Sequence, residues 1–175
     1  MNERYIRQTM IPEIGEAGQE KLKNAKVLIV GIGGLGSPIS IYLTAAGVGQ
    51  IGLIDDDIVS KSNLQRQILY TETEIGQSKV ECACRRLSAL NSSTRFETYP
   101  NRFTSDNADR LVSAYDIIID GCDNAATRYL IDDVCSRFKK PYVYGSISEF
   151  RGQFSVFNYR GGPRYSDLYP RPEVI

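Results

Sequence analysis

The sequence predicts a doubly wound α/β domain, a mostly parallel sheet with helices on both faces. Three observations carry that expectation. Short runs of Val, Ile and Leu alternate with segments of helical length and spacing along the chain. The first of these runs breaks into four glycines within six positions, Gly31-Ile32-Gly33-Gly34-Leu35-Gly36. Two of the later runs end in acidic residues, at Asp55-Asp56-Asp57 and at Asp120, and the carboxyl ends of parallel strands are where such sheets bind ligands.

In chain order, an N-terminal arm and helix occupy 1–24, with the helical pattern around 18–24. Val27-Leu28-Ile29-Val30 opens a strand at 27–31. Gly31, Gly33 and Gly36 then match the G-x-G-x-x-G spacing: one glycine for the sharp turn, one to admit phosphates, one for close helix-on-strand packing. A helix over 35–46 follows, and Gly47 is a fitting stop for it. Its free N–H groups and positive dipole end point at the glycine turn, an anion site. Further strands are expected at 51–55, 95–99, 116–120 and 142–146, with helices at 78–90, 105–114 and 124–138. The alternation makes the strands parallel with right-handed crossovers, a Rossmann-like sheet. A last strand at 153–159 follows after too short a connection for a crossover, so it runs antiparallel. Gly161-Gly162-Pro163, Pro170 and Pro172 make 160–175 an irregular tail.

Composition excludes several function classes. In 175 residues Lys plus Arg equals Asp plus Glu at 21 each, which gives no basic excess for nucleic acid or an anionic membrane. The apolar runs are of strand length and the N-terminus lacks a signal-peptide core, so a soluble cytoplasmic protein is expected. There is no histidine, and without one no Ser-His-Asp triad, His-ligated metal or histidine acid-base step operates within the chain. Cys82, Cys84, Cys122 and Cys135 contain no C-x-x-C pair. They are expected to be reduced, buried or half-buried thiols rather than zinc ligands or a redox dithiol.

What remains points to phosphate chemistry. Asp55 lies about twenty residues past the glycine turn, the place of an acid that holds a ribose hydroxyl. Asp120-Gly121-Cys122-Asp123-Asn124 ends the strand at 116–120. Acids facing a turn that itself attracts anions are commonly bridged by Mg²⁺. Asp123 has two readings, a cap for the helix at 124–138 or a metal-linked carboxylate. Arg66 and Lys79 lie in the connection between the second strand and the next helix. Together they suit a triphosphate better than a dinucleotide bridge, and either alone is equally well a solvated surface charge.

These residues resemble the ThiF/MoeB/HesA family, adenylyltransferases that activate ubiquitin-like sulfur-carrier proteins and share a core with ubiquitin-activating enzymes. The resemblance begins at Arg4-Tyr5-Ile6-Arg7-Gln8 and continues through Gly31-Ile32-Gly33-Gly34-Leu35-Gly36-Ser37 and Asp55-Asp56-Asp57. It takes in Ser62-Asn63-Leu64-Gln65-Arg66-Gln67, Gly76-Gln77-Ser78-Lys79 and Asp123-Asn124, and reaches Gly152-Gln153-Phe154. It covers nearly the whole chain, in family order.

The resemblance implies one ATP-binding adenylation domain over 1–175. Its reaction would be adenylylation of a carrier's C-terminal glycine carboxylate, with release of pyrophosphate, for a carrier of the thiamine or molybdopterin type. Gly31, Gly33, Gly34 and Gly36 would form the nucleotide turn, and Asp55 would hold the ribose. Asn63, Arg66 and Lys79 would hold the phosphates, with Asp57, Ser62, Gln67 and Asn124 in the same nucleotide site. Asp123 would engage Mg²⁺, and Arg7 would enter the site of a partner subunit in a homodimer. The catalytic set is then Arg7, Arg66, Lys79 and Asp123. A carboxylate is already a nucleophile, so a histidine-free site suffices if it aligns the reactants and neutralises charge.

The family continues well beyond position 175, in many members with a sulfur-accepting cysteine that none of the four cysteines here matches, so a C-terminally short member is expected. Where some members carry a zinc-binding C-x-x-C, this chain reads Arg164-Tyr165-Ser166-Asp167, and no zinc is expected. Two rival functions use the same residues: a non-catalytic module that holds nucleotide or carrier, and an NAD-dependent dehydrogenase using the glycine turn and Asp55.

Overall fold

A computed structural model describes residues 3–171. Its centre is a six-stranded sheet in the order β3-β2-β1-β4-β5-β6, formed by β1 (Lys26–Val30), β2 (Gln50–Ile54), β3 (Arg95–Tyr99), β4 (Ile117–Asp120), β5 (Tyr142–Ser148) and β6 (Arg151–Phe157). The first five strands are parallel and β6 pairs antiparallel with β5. Chain order reverses between β1 and β4, which is the switch point where open α/β sheets bind ligands.

The helices are the short α1 (Ile6–Thr9), α2 (Gly15–Asn24), α3 (Gly36–Ala46), α4 (Lys79–Leu90), α5 (Ser105–Ala114), α6 (Ala125–Phe138) and the short α7 (Tyr165–Leu168). Alternation along β1 divides the core in two. Val27 and Ile29 pack with Val80, Ala83 and Leu87 of α4 and with Ile39 and Leu43 of α3. Leu28 and Val30 pack on the other face with Leu111 and Val112 of α5 and with Ile131 and Val134 of α6. β1 has four of its five residues buried, as expected for a central strand covered on both faces.

Two expectations need correction. The antiparallel strand spans 151–157 rather than 153–159, because β5 runs on to Ser148 and turns through only Glu149 and Phe150, so that Ser148 pairs with Arg151. The tail is also not irregular throughout its described part. Asp132 of α6 is fully buried, and it accepts hydrogen bonds from the backbone N–H groups of Tyr165 (2.9 Å) and Ser166 (3.3 Å) and from the Arg164 guanidinium (3.0 Å). A buried carboxylate needs such partners, and supplying them winds the tail into α7 and seats Tyr165 among Tyr142, Tyr144 and Phe157. The rest of the expected tail, 172–175, lies outside the described residues.

Candidate functional site

A crevice of ≈ 1110 Å³ opens at the carboxyl ends of β1, β2 and β4. It is floored by backbone in close contact. A Cβ on Gly36 would stand 2.0 Å from the Gly31 carbonyl oxygen, and a Cβ on Gly121 would stand 2.3 Å from the same atom. Only bare Cα atoms let the turn after β1, the start of α3 and the turn after β4 meet there. Gly33 and Gly34 differ, since their missing side chains would meet only the side chains of Gln67 (3.4 Å) and Arg66 (3.5 Å). The glycines therefore do two jobs, packing for Gly31 and Gly36 and open approach for Gly33 and Gly34.

The β2–α4 connection folds back over this turn. It brings Asn63, Arg66, Gln67 and Lys79 to the crevice wall, with Asp55, Asp56 and Asp57 at the end of β2. Asp55 is tied to the turn, accepting from Ile32 N (2.7 Å) and from Asp57 N (2.9 Å). Lys79, 3% exposed, is no surface charge: its ammonium meets the Asp57 carboxylate at 2.7 Å. Arg66 is exposed, and its guanidinium reaches only the Ser62 carbonyl, at 3.4 Å, with no ion pair among the described residues. Gln67 is buried beneath Gly33 and its Oε1 has no hydrogen-bond partner among the described residues. Buried amide oxygens are rarely left unpaired, and this one lines the crevice.

The β4–α6 turn supplies the opposite wall with Gly121, Cys122, Asp123 and Asn124. The cap of α6 is Asn124, whose Oδ1 accepts from Thr127 N at 2.9 Å, so the capping reading of Asp123 is incorrect. The chain enters the helix one residue later than expected, which leaves Asp123 exposed at the crevice. Burial pushes the Cys122 thiol up, and the neighbouring Asp120 carboxylate adds to the effect. Burial likewise raises Asp120 above the usual carboxylate range, against the opposing pull of Arg128.

The N-terminal ends of α3, α4 and α6 meet this space at Leu35, Lys79 and Asn124, and the positive ends of their dipoles favour an anion there. Of the acids around it, Asp57 is paired with Lys79, and Asp56 with Arg102 at 3.3 Å.

Three of the expected residues do not line the crevice: Gly36, which packs against the Gly31 carbonyl, and Ser62 and Arg7. Ser62 is exposed outside it, with its Oγ 3.0 Å from Ser60 Oγ. Arg7 is exposed on α1, which is anchored at the far end of α3: Gln8 donates to the Ala46 carbonyl at 3.1 Å and the buried Asn91 donates to Tyr5 Oη at 2.8 Å. A helix of 11 residues separates that anchor from the glycine turn, about 16 Å at the usual rise. Two charged crevice residues were not anticipated, Arg102 and Arg128. Arg102 leaves no local sequence signal. Arg128 does, because Asp120 ends an apolar strand and a buried acid demands a cation nearby.

Residues 5–174 match the ThiF family. The chain is 49% identical over 169 residues to the adenylyltransferase and sulfurtransferase MOCS3 of Anopheles gambiae, an alignment covering 97% of this chain and 38% of that protein. It is 46% identical over 175 residues to the sulfur carrier protein adenylyltransferase of Thermus thermophilus, covering 97% of this chain and 65% of that one. This chain thus spans less than two thirds of the length of either relative. Among solved structures, E. coli MccB with AMPCPP and MccA superposes with a TM-score of 0.86 at 29% identity, over 94% of this chain and 51% of that chain. With the glycine turn, the β2–α4 connection and the β4 turn all at one crevice, and the family matched over nearly the whole length, the chain belongs to the ThiF family.

Proposed function

We propose that the chain is an adenylation domain, which uses ATP to adenylylate the C-terminal glycine carboxylate of a ubiquitin-like sulfur-carrier protein. The observation that carries the reading is the convergence at one crevice of an open glycine approach at Gly33 and Gly34, the exposed Arg66, the buried Lys79 and the exposed Asp123. The relatives named as sulfur-carrier adenylyltransferases supply the substrate class.

A nucleotide fits the donor set. The turn's N–H groups and the N-terminus of α3 suit phosphate oxygens, Arg66 offers a fork and Lys79 a point charge, and Gln67 Oε1, without a hydrogen-bond partner among the described residues, is an acceptor under the turn. In the reaction a carboxylate oxygen attacks the α-phosphorus, the bond from that phosphorus to the bridging oxygen breaks, and pyrophosphate leaves with the electron pair. No proton has to be removed from the nucleophile, so the lack of histidine is no obstacle. The barrier lies in alignment and in the charge that collects on the leaving group, which Arg66 and Lys79 face. Mg²⁺, when bound, would neutralise phosphate charge, and Asp123, the exposed acid on the wall opposite the Lys79–Asp57 pair, is the residue that would hold it. Arg7, remote from its own crevice, is assigned to the crevice of a second subunit in a two-fold dimer.

The test is exchange of labelled pyrophosphate into ATP with Mg²⁺, with and without a carrier ending in glycine. Carrier-dependent exchange is expected. Nucleotide binding without exchange would make the chain a holding module instead, and binding of NAD but not of Mg-ATP would end the adenylation reading. Replacing the carrier's last glycine by a bulky residue should abolish exchange while docking remains measurable, because only a tail without side chains threads easily between the crevice loops.

A further inference from the structure

We propose that Arg128, together with Asp120, is a positioning residue that fixes the β4–α6 turn so that Asp123 is presented to the crevice. The assignment rests on the adenylation reading and deepens it. Both polar groups of the Cys122 peptide are held from below. The N–H donates to Asp120 Oδ1 at 2.8 Å, and the carbonyl accepts from Arg128 Nη2 at 3.0 Å. The two clamping side chains hold one another, Arg128 Nε lying 3.3 Å from Asp120 Oδ2, and that oxygen also accepts from Tyr142 Oη at 3.0 Å. The guanidinium lies over the Tyr144 ring, 5.4 Å from its centroid, which removes its remaining freedom. On the other side of Asp123 the backbone is fixed again, by the Asn124 cap on Thr127. Asp123 is thus an exposed side chain between two anchored neighbours.

The burial of the pair separates this role from direct phosphate binding. The Arg128 side chain is 15% exposed and that of Asp120 is 0% exposed. Arg128's charge is therefore matched inside the protein, whereas the exposed Arg66 has no carboxylate partner among the described residues. A lysine at 128 would keep the charge but not the fork, since one ammonium cannot repeat two diverging N–H bonds in the guanidinium plane. Residues that orient a metal-linked carboxylate commonly change metal affinity 10–100-fold when they are replaced.

The experiment measures equilibrium binding of ATP with and without Mg²⁺, so the readout is the gain in nucleotide affinity that the metal confers and not turnover. Thermal melting of each variant reports folding alongside. Arg128→Lys is expected to lose about tenfold of that gain, while its affinity for metal-free ATP stays close to wild type. Asp120→Asn gives an independent second variant: its amide oxygen still accepts from Cys122 N, but its NH₂ cannot accept from Arg128 Nε, and it should show the same signature. Asp123→Asn calibrates the scale by removing the carboxylate itself. If Asp123→Asn loses the gain and the other two keep it, the positioning role is overturned while the adenylation reading stands. Equal loss of metal-free binding in Arg128→Lys also overturns it, because the guanidinium would then contact phosphate directly. A full Mg²⁺ gain in Asp123→Asn sinks the metal-linked reading of Asp123, and the positioning role with it.

Discussion

The same substitution at two glycines of one turn should fail in two different ways. In Gly36→Ala the new methyl would stand 2.0 Å from the Gly31 carbonyl oxygen and 3.0 Å from its carbon. Both neighbours are backbone, so α3 must shift away from the end of β1. Overpacking of this kind costs about 1–3 kcal/mol, which in a domain of this size lowers Tm by roughly 3–10 °C. In Gly34→Ala the nearest atoms are the flexible Arg66 side chain at 3.5–3.6 Å, an ordinary contact, and stability should stay within about 0.5 kcal/mol of wild type. That methyl does, however, enter the crevice that Gly34 lines, which on the adenylation reading is the mouth of the phosphate approach. Loss of one charge-assisted contact, about 1.5–3 kcal/mol, weakens ATP binding at least about tenfold. Thermal melting and an ATP titration on both variants make the measurement. Unchanged ATP affinity in Gly34→Ala would refute the division of labour, as would an unchanged Tm in Gly36→Ala.

Three further outcomes are expected. Lys79→Ala should weaken ATP binding at least about tenfold by calorimetry, since it deletes a buried ammonium 2.7 Å from Asp57 at the crevice wall; a variant that binds normally would leave Lys79 a purely structural partner of Asp57. Arg7→Ala and Asp123→Ala, each inactive alone, should regain pyrophosphate exchange on mixing, because one site of a mixed dimer then has both wild-type residues; mixed dimers that form and stay inactive would remove the role in trans. Burial pushes the Cys135 thiol up to about 12, so at pH 8 only on the order of one thiol in ten thousand is thiolate, the reactive form. Iodoacetamide should therefore modify the half-buried Cys84 and spare Cys135 until the protein unfolds, with mass spectrometry of the native and denatured protein as the check.

The fold was legible because its signals are local. Val27-Leu28-Ile29-Val30 is buried on both faces and reads as a parallel central strand without knowledge of its neighbours. The short connection after β5 dictates an antiparallel partner. The tail was misread for the complementary reason. Gly161, Gly162 and Pro163 are breakers in any local reading, whereas α7 exists because Asp132, some thirty residues earlier, is buried and must be bonded. No window on the tail contains that acid.

The crevice divides along the same line. Gly31, Gly33, Gly34, Asn63, Arg66, Gln67, Lys79 and Asp123 all line it, and each sits beside a recognisable turn or helix start. Pattern left the environment open rather than the place. Lys79 passes in sequence for a solvated charge at a helix start, yet it is buried because the bridge between Ile58 and Ser78 closes the connection into a loop, setting Asp57 against it. Arg128 passes for an ordinary polar residue in the second turn of α6. Its meaning depends on Asp120, on the carbonyl of Cys122 and on the Tyr144 ring, which come from β4, the turn and β5. Residues of that kind hold a site's shape without touching its ligand, and the sequence marks them only through the unmet need of a partner. Here the need belongs to Asp120, a carboxylate at the end of an apolar strand that must be answered by some cation in the fold, and Arg128, one turn into the next helix, is the one that answers it.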